Sequence, residues 1–210
     1  MPAPLTLDDA FALVRRWAAG PQRRLLGLTG PPGAGKSTLA STLAAAAGGG
    51  AAVVPMDGFH LAQHELERLG RARRKGAADT FDADGYVALL RRLRSPAEGE
   101  VVYAPAFRRE IEEPIAGAIA VPAGVPLVVT EGNYLLDDGA WAGVRGLCDE
   151  IWYVDLDDAV RVERLVARHV THGRTPDAAR DWVLRSDEAN ARRIATTRHR
   201  ADRAIAVGRL

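Results

Sequence analysis

The residues from Gly30 to Thr38 read GPPGAGKST: Gly30 and Gly35 with four residues between them, then a lysine and two hydroxyls. This is the spacing G-x-x-x-x-G-K-[ST]. Gly30, Pro31, Pro32, Gly33, Ala34 and Gly35 make a loop in which backbone N–H groups can converge on a polyanion without clashing side chains. A helix starting at Lys36 adds partial positive charge at the same point. Lys36 is placed to reach the β- and γ-phosphates of a nucleoside triphosphate, Ser37 offers a hydroxyl to Mg²⁺, and Thr38 supports the α-phosphate side. A dinucleotide site is disfavoured, because the glycines are spaced wrongly and Lys36 would crowd a pyrophosphate.

Two acids stand where apolar runs stop. Asp57 follows Val53-Val54-Pro55-Met56 and Glu131 follows Leu127-Val128-Val129-Thr130, and each is followed by glycine. Asp-Gly is a common turn pair, and a turn alone would account for Asp57. Beside a triphosphate loop, however, one carboxylate can orient Mg²⁺ and the other can take the proton of an attacking alcohol. Phosphoryl transfer has a loose transition state with late deprotonation, so a carboxylate of ordinary basicity suffices. These considerations assign Asp57 to an acceptor hydroxyl held in line with the γ-phosphate. A guanine-reading NKxD is absent, which weakens a GTPase-switch reading.

Arginines at Arg164 and Arg168, with Arg174 after Gly173, are placed to fold over a triphosphate and neutralise charge developing in transfer. Arg161, on the same helix, is left out. His60 is a candidate for hydrogen bonding the acceptor. His60 and His64 lack the intervening glutamate of a zinc protease helix, so no metal is expected there. Tyr103, Asn133 and Tyr134 are further acceptor-side candidates, and Asn190 is a candidate for the nucleotide base. The tryptophans Trp17, Trp141, Trp152 and Trp182 are expected to pack.

These residues must be held by alternating elements. Helices are expected over Thr6–Ala19, Ser37–Ala47, Asp84–Arg94, Asp157–His172 and Pro176–Arg198. Buried strands are expected over Leu25–Thr29, Ala51–Met56, Leu127–Thr130, Ile151–Val154 and Ala204–Val207, with an irregular hairpin or edge over Val101–Val121. Apolar strands alternating with helices make an α/β fold around a parallel sheet. In such a sheet the carboxyl ends of the strands form the ligand crevice, which puts Asp57 and Glu131 on the side of the phosphate loop.

The chain has 210 residues, enough for one domain over its whole length. Lys plus Arg is 28 against 27 for Asp plus Glu, a net charge of +1, so a polyanionic partner such as nucleic acid is not favoured. Only Lys36 and Lys75 are lysines, which makes each conspicuous. Cys148 is the one cysteine, which rules out an internal disulfide and is expected to act as a small apolar residue. No run approaches the roughly 20 apolar residues of a membrane span, and the N-terminus lacks a secretory pattern. A cytoplasmic location is expected, and a homodimer stays open.

Four segments together resemble a known group: Val53–His60 (VVPMDGFH), Arg74–Asp82 (RKGAADTFD), Val128–Leu136 (VVTEGNYLL) and Glu163–Gly173 (ERLVARHVTHG). They are similar to the phosphoribulokinase, uridine kinase and bacterial pantothenate kinase superfamily, above all to fructose-transport-system-kinase-like proteins of the nucleoside/nucleotide kinase family. The resemblance runs from Leu25 to Val207. It implies a P-loop kinase fold with a five-stranded parallel core, the Glu131 strand lying beside the strand before the loop. It also implies a small helical lid over about 161–185 and an acceptor-side insertion over about 58–121. Asp57 would be the base and Glu131 would sit at Mg²⁺. Lys75 falls on the R-K-G-x-x-x-[ST]-[YF]-D pattern of pantothenate kinases, and Arg109 matches the arginine of an F-D-R segment in which Arg108 replaces the usual aspartate.

The sequence therefore reads as an ATP- and Mg²⁺-dependent kinase acting on a hydroxyl of a small pantothenate-, nucleoside- or sugar-like molecule. The alternatives are a nucleoside monophosphate kinase, whose anionic acceptor needs no base, and a nucleotide-dependent regulatory protein with no acceptor.

Overall fold

The computed structural model describes residues 2–208. Its elements are β1 (Ala3–Leu5), α1 (Leu7–Ala18), β2 (Arg24–Thr29), α2 (Lys36–Ala46), β3 (Ala51–Pro55), α3 (Gln63–Arg68), α4 (Ala83–Arg94), β4 (Val101–Arg108), β5 (Glu113–Pro122), β6 (Leu127–Glu131), β7 (Glu150–Asp155), α5 (Asp158–Thr171), α6 (Pro176–Trp182), α7 (Glu188–Thr197) and β8 (Arg203–Ala206). Six strands form one parallel sheet in the order β1-β8-β7-β2-β6-β3, and β4 and β5 form a separate antiparallel hairpin.

The five expected strands are β8-β7-β2-β6-β3, with β3 at one edge of the sheet, and β6 lies beside β2, with Glu131 opposite Leu28. The sixth, β1, is a three-residue edge strand paired to β8. Ala-Pro-Leu carries no alternation to betray it, and an edge tolerates the proline.

The central strands are apolar throughout because both faces are covered. Leu25, Val128, Ile151 and Tyr153 pack with Tyr86, Leu90 and Trp141 on one face. Leu26, Leu28, Val129, Trp152 and Val154 pack with Leu13 and Val14 of α1 and Leu39 and Leu43 of α2 on the other. Period-two alternation thus divides each strand between two cores. Cys148 is buried in the first core, where desolvation pushes its thiol up to about 12, so it acts as an apolar residue.

Pro176–Arg198 departs from the single helix expected. A π-helical turn at Val183–Asp187 separates α6 from α7. No glycine or proline marks this turn in the sequence, and the backbone stays helical on both sides of it. The turn swings Asp187 toward α5, where its carboxylate meets His169 Nε2 at 3.0 Å.

The irregularity expected in the hairpin is a bulge. Ala104 faces Ile119 and Ala106 faces Ile115, so Pro105 stands opposite three residues centred on Gly117, which has φ +66°. The bulge presses the Pro105 carbonyl against the turn after β3. A Cβ on Gly58 would stand 2.3 Å from that oxygen. The glycine after Asp57 is there because the hairpin passes too close for any side chain.

Candidate active site

β2 runs into the phosphate loop, which runs into α2. Gly30, Gly33 and Gly35 have φ of +152°, +81° and +92°. At Gly30 a side chain is also excluded by contact, since its Cβ would fall 2.6 Å from the Val154 carbonyl of β7. Gly35 caps α2 without a side-chain hydrogen bond, leaving the first amides of the helix for an anion.

Lys36 is buried and donates to the carbonyls of Gly30 (2.9 Å) and Pro31 (3.0 Å) and to Asn133 Oδ1 (2.8 Å). Desolvation lowers its pKa to about 8, against the opposing pull of Glu131 and Asp57.

Glu131 is 5% exposed at the end of β6, and Ser37 Oγ donates to its Oε1 at 2.8 Å. The residue before it pins the strand: Thr130 Oγ1 donates to Val54 O at 2.7 Å and meets the Tyr86 hydroxyl at 2.5 Å. Burial and the neighbouring Asp57 charge raise the Glu131 pKa above the usual carboxylate value. A buried carboxylate sharing a hydroxyl and facing a second carboxylate is a donor set suited to a hard divalent cation.

Asp57 lies just past the end of β3, in a 3₁₀ turn over Met56–Phe59. Its Oδ2 is 3.4 Å from Arg109 Nη2, with both side chains partly exposed. The Asp57 carbonyl, which can only accept, meets His60 Nδ1 at 2.7 Å, so Nδ1 carries the proton. Burial lowers the His60 pKa below its usual value, which keeps the ring neutral at pH 7. The ring is fixed against Phe81 and Phe107, at 4.0 and 4.6 Å between centroids.

One cleft of about 900 Å³ joins these groups. Pro32, Gly33, Gly35, Lys36, Ser37, Thr38 and Glu131 line its phosphate end. Asp57, His60, Lys75, Arg109, Asn133 and Asn190 line the rest, and Arg164, Arg168 and Arg174 face it from the α5–α6 side. Desolvation in the cleft and the like charge of Arg109 lower the Arg168 pKa. Arg174 stacks on Trp182 at 4.2 Å, so Trp182 lines the cleft rather than packing in a core as expected.

Several expected site residues are placed elsewhere. Tyr103 is 58% exposed and does not line the cleft: alternation along β4 buries Val102 and Ala104 and turns the tyrosine outward. Tyr134 is buried against Phe81 and Trp141, and its hydroxyl donates to the Gly76 carbonyl at 2.6 Å, so it holds the Lys75 segment from beneath. Gly30, Pro31 and Ala34 shape the loop from its inner side without lining the cleft. Asn190 approaches the same Gly76 carbonyl at 3.5 Å, which puts it against the acceptor-side segment.

Arg161, left out of the sequence reading, is 1% exposed. It bonds Asp158 (2.9 Å) and Glu188 and reaches the Pro32 carbonyl at 3.4 Å, tying the phosphate loop to α5 and α7. Its place one turn before Arg164 was the available signal; its carboxylate partners were not readable from spacing.

Comparison with known proteins matches the description "Phosphoribulokinase / Uridine kinase family" over residues 25–210. The chain belongs to this family. It is 37% identical over 152 residues to "ATP-dependent kinase-like protein notR'" of Aspergillus versicolor, covering 68% of this chain and 88% of that protein. It is 35% identical over 181 residues to YggC of Escherichia coli, covering 83% and 74%. The crystal structure of a "putative fructose transport system kinase" from Silicibacter sp. TM1040 superposes with a TM-score of 0.81 at 39% identity, covering 93% of this chain and 98% of that one. YFH7 of Saccharomyces cerevisiae shares the fold, with a TM-score of 0.79 at 18% identity over 95% and 97%. As a phosphoribulokinase/uridine kinase family member, the chain is an ATP-dependent small-molecule kinase of the P-loop class. Among the described residues no helix is long and apolar enough to cross a membrane.

Proposed function

We propose that the chain transfers the γ-phosphate of ATP to a hydroxyl of a small metabolite, with Asp57 as the base. The observation that carries this reading is that Asp57 opens into the same cleft as Lys36 and Glu131 while its carboxylate makes, among the described residues, only one long contact, to Arg109. A carboxylate used only to close a turn would be consumed by local amides.

In this reading the loop amides and Lys36 hold the β- and γ-phosphates. Ser37 and Glu131 hold Mg²⁺, which when bound supplies neutralising charge on the phosphate oxygens. Asp57 accepts the hydrogen bond of the acceptor hydroxyl, aims its oxygen at the γ-phosphate and takes its proton as the new P–O bond forms and the bond from the γ-phosphorus to the β–γ bridging oxygen breaks, releasing ADP. Arg164, Arg168 and Arg174, on the α5–α6 lid, neutralise charge on the bridging and transferring oxygens. Lys75, His60, Asn133 and Asn190 bound the acceptor, and Tyr134 positions the Lys75 segment.

The test is product analysis by phosphorus NMR with ATP, Mg²⁺ and a panel of pantothenate-, nucleoside- and sugar-like alcohols. The expected product is one new phosphate monoester per ADP, formed only with Mg²⁺. A diphosphate made from a nucleoside monophosphate, or ADP formed without any ester, would contradict the reading.

A further inference from the structure

The acceptor end of the cleft brings Lys75 and Arg109 together with the carboxylates of Asp57 and Glu112, yet neither cation is held in a close ion pair among the described residues. Lys75 Nζ is held by two neutral oxygens, the Glu112 carbonyl and Gln63 Oε1 at 3.5 Å, and has no ion pair among the described residues. Arg109 has one carboxylate contact, the 3.4 Å approach to Asp57. Both cations lie over one aromatic ring, with Lys75 Nζ 5.6 Å and Arg109 Cζ 5.9 Å from the Phe107 centroid. They therefore converge on one corner rather than fan out into solvent. Arg168, which forms no ion pair among the described residues, adds like charge across the cleft. If Asp57 takes up an acceptor hydroxyl, Arg109 loses part of its one carboxylate contact among the described residues.

We infer that the acceptor carries an oxyanionic group, a carboxylate or a phosphate, apart from the hydroxyl that is phosphorylated, and that Lys75 and Arg109 above Phe107 hold that group. The inference rests on the kinase reading above. A neutral nucleoside or free sugar would leave Lys75 with neutral oxygens alone and Arg109 with its long contact to Asp57, and a site built for a charged partner rejects ligands that lack it. An oxyanion at this corner accepts hydrogen bonds from Lys75 and the Arg109 fork together, and leaves Asp57 for the hydroxyl. A ring floor with two cations also favours a compact anionic terminus over a base that would have to stack in their place.

The test compares glycerate and pantothenate (carboxylates), pentose monophosphates (phosphates), and uridine and ribose (neutral) as acceptors, with wild type and Lys75→Gln. The expected result is a kcat/KM for a carboxylate or phosphate acceptor about 100-fold above the neutral ones. In Lys75→Gln the KM for that acceptor rises about 10-fold while kcat and the KM for ATP stay within a few-fold. Whether the carboxylates or the phosphates respond tells the two sources apart. A neutral alcohol preferred over both, or an unchanged acceptor KM in Lys75→Gln, overturns the inference while leaving the kinase reading standing. A readout independent of turnover is the binding of inorganic sulfate to protein saturated with Mg²⁺ and ADP. A saturable site that disappears in the Lys75→Gln/Arg109→Gln double variant supports the inference. No saturable site, or one the double variant keeps, overturns it.

Discussion

Asp57→Asn is expected to lower kcat by about 10²- to 10⁴-fold, the range of a positioned general base, with the KM for ATP within a few-fold of wild type. The exchange keeps the shape of the side chain, so the turn over Met56–Phe59 and the Gly58–Pro105 approach should survive it. What it removes is the negative charge that accepts the proton. Because the transition state is loose and proton transfer comes late, the residual rate reflects positioning by the remaining cleft. Asparagine also removes a like charge from beside Glu131, so the raised Glu131 pKa should move back toward the usual carboxylate value. Steady-state kinetics varying ATP and acceptor separately check this. A variant with near-normal kcat would assign the acceptor proton to another group.

Lys36→Met is expected to lower kcat/KM for ATP by about 10²- to 10³-fold, comparable to deleting one preorganised donor at a site of developing charge. Methionine keeps the apolar stem in its buried slot and deletes only the ammonium, so loss of activity should come without loss of fold. The pH dependence gives an independent readout. With its pKa depressed to about 8, Lys36 is charged below that value and neutral above it. Wild-type kcat/KM for ATP should therefore be level below about pH 8 and fall above it, by up to about tenfold per pH unit. Lys36→Met should lack that alkaline limb. A limb retained in the variant would assign it to a different group.

Much of this site is legible in the sequence because its parts are local. The phosphate loop is contiguous from Gly30 to Thr38, and Asp57 and Glu131 stand where apolar runs end. A parallel sheet delivers strand ends to one edge, so those two acids and the loop meet without knowledge of any loop path. The failures are long-range. Tyr103, an acceptor-side candidate, faces outward, because alternation along β4 buries Val102 and Ala104 and which face of a hairpin turns inward is set by what packs against it. Tyr134 follows Glu131 closely in sequence, yet its hydroxyl is taken by Gly76. Asn190, a candidate for the nucleotide base, stands against the Gly76 carbonyl of the acceptor-side segment, a neighbour far away in sequence. Arg161 was passed over because its value depends on Glu188, which is distant in sequence.

The whole account turns on what Asp57 touches when both substrates are bound. A crystal structure with a non-hydrolysable ATP analogue, Mg²⁺ and an alcohol acceptor measures that directly. The account predicts an Asp57 carboxylate oxygen about 2.6–3.2 Å from the acceptor hydroxyl, with that hydroxyl in line with the γ-phosphate above Lys36. An Asp57 still locked to Arg109 and remote from the hydroxyl, with a different group addressing the acceptor, would contradict it.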